Sequence, residues 1–142
     1  MKKSDIQKIR IDIRSDTKSV LSLLMDKQGM IKRQGNGVLP IIETEVIATT
    51  TGDFFTQLVA LVDENIMPFA DVYDHPNKLG TLLTISTVFM GKNDTVKAFE
   101  FRLGTETKDV GDLFPFFDHF IAQAIHITQE WYEIEIKTLS NQ

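Results

Sequence analysis

Two of the chain's three histidines, His119 and His126, lie seven residues apart in the stretch HFIAQAIHITQE, which ends on the carboxylate of Glu130. Imidazoles near a carboxylate are the raw material of a metal site or an acid–base pair. On a helix the two rings share a face but stand about 10.5 Å apart along the axis, at 1.5 Å per residue. A metal ion holds its ligands at about 2 Å, so one ion cannot join both. His126 and Glu130, at i and i+4, form half a site, yet HITQE lacks the paired histidines of HExxH. The expectation is a solvated helix face or an interface, with no metal and no cofactor.

A second cluster is Tyr73-Asp74-His75-Pro76. An aspartate can orient a histidine as a general base, and a tyrosine can donate a proton. Neighbouring residues of a loop rarely point the same way, so the plainer expectation for 71–80 is a turn, with Asp74 capping amides and Pro76 fixing φ. A third set lies on strands: Lys8, Arg10, Asp12 and Arg14 on the first, Glu100 and Arg102 on the sixth. On a concave sheet face these arginines could grip a carboxylate or phosphate in bidentate fashion. On a flat face they would form cross-strand ion pairs worth under about 1 kcal/mol each.

Other chemistry is excluded by what the motifs lack. Gly35-Asn36-Gly37 runs into VLPII rather than a helix, so it has none of the context of a phosphate loop. No G-x-S-x-G elbow raises a serine as nucleophile. The absence of cysteine removes disulfides, thiolate catalysis and cysteine-held metals, and fits a reducing compartment. No signal-peptide-like or membrane-spanning apolar run is present, so the expected location is cytoplasmic, and Asn93-Asp94-Thr95 is a chance sequon.

The elements that must carry these residues follow from periodicity. In KIRIDIR the isoleucines Ile9, Ile11 and Ile13 alternate with charged residues, the pattern of a strand with one wet face. SVLSLLM, a turn at Asp26–Gly29, MIKRQ and TEVIATT extend the strands to four. From Asp53 to Phe69 the apolar residues fall in one arc of about 160° on a helical wheel, with Thr51 or Asp53 as cap and Pro68 as terminator. Asn65 lies in that apolar arc and needs a partner or a capping role if buried. TLLTISTVFM and TVKAFEFRL make a hairpin, with Phe99, Phe101 and Leu103 facing in. A second helix over about 112–133 puts phenylalanines on one arc, His119 and His126 opposite, and Trp131 and Tyr132 near its end.

The chain is expected to be a single α+β domain over 1–142. It would have about six strands in the order β-β-β-β-α-β-β-α, mainly antiparallel, with two amphipathic helices on one face.

Charge narrows the partners. Residues 1–33 carry nine basic and four acidic side chains, whereas 34–142 carry six and sixteen, giving −5 overall. Strand pairing should mix these halves. The net acidity argues against nucleic acid, whose phosphates demand many cations. Two functions of different class remain. One is a non-enzymatic interaction module, inhibitor- or immunity-like or self-associating as a homodimer, whose acidic surface would suit a basic protein partner. The other is a binder, or small enzyme, for an anionic small molecule on the open sheet face with help from the Tyr73–His75 loop. Neither involves a membrane. No catalytic residue is assigned. Arg10, Arg14, Tyr73, His75, Glu100, Arg102 and Trp131 are the candidate contacts for ligand or partner.

Overall fold

The computed structural model describes residues 1–141. Its centre is β1 (Ile6–Ser15), whose alternating isoleucines Ile9, Ile11 and Ile13 are buried while Arg10 and Arg14 face water. β2 (Lys18–Asp26) folds back antiparallel beside it. A bulge opposite Ile13 and Arg14 lets two successive residues, Val20 and Leu21, both face the core. β3 (Met30–Gln34) and β4 (Glu45–Thr49) complete one wing of the sheet. The β2–β3 turn is tied by Asp26 Oδ1, which accepts from the amides of Gln28 and Met30 at 3.0 Å. Its Gly29 has φ +101°, and a Cβ there would lie 2.0 Å from the carbonyl oxygen of Thr50. That residue must be glycine for both reasons.

On the other side of β1 lie β6 (Leu82–Gly91) and then β7 (Val96–Gly104), both antiparallel. One strand was not legible in the sequence. The segment expected to be loop contains β5 (Val72–Asp74), which pairs parallel to β7 at Glu100–Arg102. The sheet therefore has seven strands rather than six, in spatial order β4-β3-β2-β1-β6-β7-β5. Class and layering are as expected: an α+β fold, mostly antiparallel, with its helices on one face.

Those helices differ from expectation in length. α1 (Asp53–Ala60) stops early, and a separate 3-10 segment spans Glu64–Phe69. The break has a local cause. Asp63 turns its carboxylate onto the amide of Asn65 (2.9 Å) and caps the second segment instead of continuing the first. Phe69, assigned to the buried arc, is consequently 59% exposed, and Asn65 is exposed too. At the start of α1 the capping position is Gly52 in the left-handed region, not Thr51 or Asp53.

α2 (Leu113–Ser140) is longer than expected and crosses the sheet from β7 to β4. Phe114 meets Phe101 on β7, Phe120 meets Phe89 on β6, and Tyr132 donates to the carbonyl of Thr44, beside β4. Phe117 sits within 6.5 Å of four other phenylalanine rings, Phe89, Phe99, Phe101 and Phe116. This aromatic cluster is the centre of the core, and it leaves the opposite face of the sheet uncovered by any helix.

Candidate functional site

The histidines that opened the sequence can be placed first. His119 and His126 are both exposed on the outer side of α2. Among the described residues no group of three or more potential ligands could hold a metal ion.

At the β5 end of the sheet, side chains of one strand go separate ways. Tyr73 stacks on Phe101, ring centroids 5.2 Å apart, and its hydroxyl donates to the carbonyl of Phe69. Burial, aided by the nearby charge of Asp71, pushes its pKa above the ordinary value, so the phenol keeps its proton. Asp74 points to the other face of the sheet and pairs with Lys78 Nζ at 2.5 Å. The hydrogen bond from Lys78 holds its carboxyl below the ordinary range. Asp74 therefore neither orients His75 nor caps an amide, contrary to expectation.

The amide is capped by the histidine. His75 Nδ1 accepts from Asn77 N (3.0 Å), and Nε2 faces the carbonyl of Asp109 (3.2 Å). Those partners assign the neutral ring with its proton on Nε2. Tyr73, His75, Phe101, Val110 and Phe114, with Arg102 and Asp109, line an open, mainly apolar cavity of about 240 Å³. Both ring nitrogens of His75 are engaged with backbone, and the carboxylates that border the cavity are Asp74, paired with Lys78, and Asp109.

The open sheet face gathers four of the sequence's candidate residues. Arg10, Arg14, Glu100 and Arg102 line a broad trough of about 720 Å³. Register explains how. Asp12, Ser86 and Glu100 form one cross-strand row, and Arg14, Thr84 and Arg102 the next. Two of the arginines are satisfied along their own strands: Arg10 by Asp12 at 2.8 Å, Arg102 by Glu100 at 2.7 Å. Arg14 donates to the carbonyl of Thr17 (3.1 Å) and has no carboxylate partner among the described residues. Across the same face runs an aliphatic band, with Ile47, Leu24, Val88 and Ala98 in one row and Lys32 and Arg10 between them.

The candidate residues thus fall in three places. Trp131 is remote from the trough, half-buried on the helix side at 6.2 Å from the ring of Phe54. Tyr73 and His75 border the cavity, and only Arg102 touches both cavity and trough.

Arg33 was missed altogether. Fully buried at 0% exposure, it places all five of its N–H donors on neutral oxygens. Nε donates to Gly35 O (3.1 Å), and Nη1 to Ile125 O (3.2 Å) and Thr128 Oγ1 (2.8 Å). Nη2 donates to Asn36 Oδ1 (3.0 Å) and Gln129 Oε1 (2.6 Å). The ring of Tyr132 lies 4.4 Å beneath the guanidinium. Burial lowers the pKa to about 10, partly offset by the field of Tyr132 and Glu133, so the group stays charged at neutral pH. The signal was present: in MIKRQ, period-2 alternation puts Arg33 on the same face as Ile31.

Comparison of the chain with protein-family models, with curated proteins and with solved structures finds no match.

Proposed function

We propose that this chain is a non-enzymatic interaction module whose protein partner docks on the uncovered face of the sheet. The observation that carries the reading is the make-up of that face. Its strand residues include five cations (Lys8, Arg10, Arg14, Lys32, Arg102) and five carboxylates (Asp12, Asp26, Glu45, Asp74, Glu100), interleaved with the aliphatic band. The molecule as a whole carries −5. A charge-balanced, partly apolar face on an otherwise acidic protein is the surface that least repels another protein and has apolar area to bury. Catalysis is disfavoured by the same geometry. Among the described residues the buried polar side chains are Arg33, Thr87 and Thr128, and no carboxylate or histidine is withdrawn from water to serve as a tuned acid or base.

Arg14 supports a second reading. It flanks Thr84 opposite Arg102, and the two guanidinium groups could close on a small anion over that floor.

Native mass spectrometry of protein purified gently from its own host separates the two. The docking reading expects a bound protein that is lost in Leu24→Asp and Val88→Asp variants with unchanged unfolding midpoints. An added small-molecule mass, lost in Arg14→Ala, would replace it with the anion reading. A cytoplasmic location, expected from the cysteine-free sequence, belongs to the same proposal and is checked by fractionation of the host.

A further inference from the structure

The two edges of the sheet are treated differently. At one end β5 is three residues long, preceded by Asp71, ending on Asp74 and followed closely by Pro76. Shortness, charge and proline are the means by which an edge strand is kept from pairing with another chain. At the other end β4 runs five residues, Glu45-Val46-Ile47-Ala48-Thr49, without lysine, proline or bulge. Its centre, Ile47, is 64% exposed.

The direction of the free backbone groups follows from register. Thr50 N donates to Gly29 O (2.7 Å), one step beyond the Met30–Thr49 pair with which the β3–β4 register begins. Alternation then turns Ala48 and Val46 toward β3, and Thr49, Ile47 and Glu45 outward. No segment outside the β3–β4 ladder hydrogen-bonds to the backbone of those three residues among the described ones.

We infer that a second copy of this chain pairs antiparallel with β4, about a two-fold axis through Ile47. That register uses all three outward residues. Ile47 meets its counterpart, and Glu45 of each copy faces Thr49 of the other, so no like charges are opposed. Registers in which the two Glu45 residues meet lose half the pairing and oppose two carboxylates.

The helix layer points the same way. Having crossed the sheet to reach Thr44 through Tyr132, α2 continues for eight further residues, about 12 Å at 1.5 Å per residue, with Ile136 and Lys137 beside Asn36 and Ile42 of the β3–β4 loop. Leu139, seven residues on from buried Tyr132 and so on the same face of the helix, is 44% exposed. A neighbouring copy on β4 would lie against this end of the helix. The two open faces would then join into one continuous sheet, so this inference extends the docking reading to self-association while using a different surface.

Sedimentation velocity of the full chain over a wide concentration range, paired with residue-resolved amide exchange, tests it. The expected result is a doubling of mass with concentration, together with new protection of the amides of Glu45, Ile47 and Thr49. Ile47→Pro deletes an outward donor without touching the β3 ladder, and Ile47→Lys sets two ammonium groups at the axis. Each should abolish the dimer, and Ile47→Lys does so even if the proline variant fails to fold. A monomer at every concentration overturns the inference. So does a dimer that survives Ile47→Lys or forms without protection of those three amides. Val88→Asp keeps the edge dimer while removing the docked partner, so failure of either proposal is read separately.

Discussion

A charged side chain in a protein interior is normally matched by an opposite charge, because the Coulomb attraction offsets lost hydration. Arg33 is matched instead by five neutral oxygens and an aromatic ring. The arrangement works because a guanidinium is flat, delocalised and weakly hydrated, and a lysine could not reproduce it. It also joins β3, the Gly35–Thr44 loop and α2 at one point, with Tyr132 accepting from Gly35 N (2.9 Å) and donating to Thr44 O. Arg33→Ala should lower unfolding free energy by about 3–5 kcal/mol, the range found when a buried charge network is broken. Arg33→Met, which refills the volume without a charge to desolvate, should recover part of that loss in urea unfolding. If methionine proves as damaging as alanine, hydrogen bonding rather than packing dominates the site. The pH signature has a definite sign. Folded Arg33 releases its proton near pH 10, before the unfolded chain does, so its contribution to stability rises with pH above that point. The difference between native and Arg33→Met stability should therefore be flat through neutral pH.

At the scale of elements, α2 and the sheet make the core through one aromatic cluster. Phe117 is its hub, buried and in contact with rings from β6, β7 and its own helix. Phe117→Ala should cost about 3–5 kcal/mol, since the surrounding rings are fixed to three elements and cannot collapse into the space. A chemical-denaturation midpoint checks this, and a loss below about 1 kcal/mol would mean that the helix shifts to refill the cavity. These elements were legible because periodicity is a local signal: alternating isoleucines gave β1, and the phenylalanine arc gave the inner face of α2. What the sequence concealed depends on long-range or side-chain events. β5 exists only because β7 offers it three residues of edge, and three residues show no period of their own. The end of α1 is set by the carboxylate of Asp63 choosing the Asn65 amide, a choice that an apolar wheel cannot register. The candidate site was legible in the same proportion. Alternation brought Arg10, Arg14, Glu100 and Arg102 to one face; that Tyr73, Asp74 and His75 part was expected of neighbouring residues, but their partners, Phe101, Lys78 and the Asn77 amide, were not legible.

The charge of the whole molecule decides how a partner should arrive. The basic first quarter of the chain does not form a basic patch, because β1 lies between β2 and β6 and sets its arginines among Asp12, Asp26 and Glu100. The open face is balanced, and the net −5 resides on the rest of the molecule. A partner docking on the open face therefore gains little from long-range steering, whereas a basic partner drawn to the acidic helix side gains much. The association rate, measured by stopped flow with the native partner, should then change by less than about threefold as salt shortens the Debye length from about 30 Å to about 8 Å. A fall of tenfold or more would place the partner on the acidic helix side and leave the open face as a solvated, ion-paired surface. The Val88→Asp variant sharpens the distinction. It puts a buried negative charge in an open-face interface but changes the distant field by only one unit, so only open-face docking should lose affinity while keeping its shallow salt response.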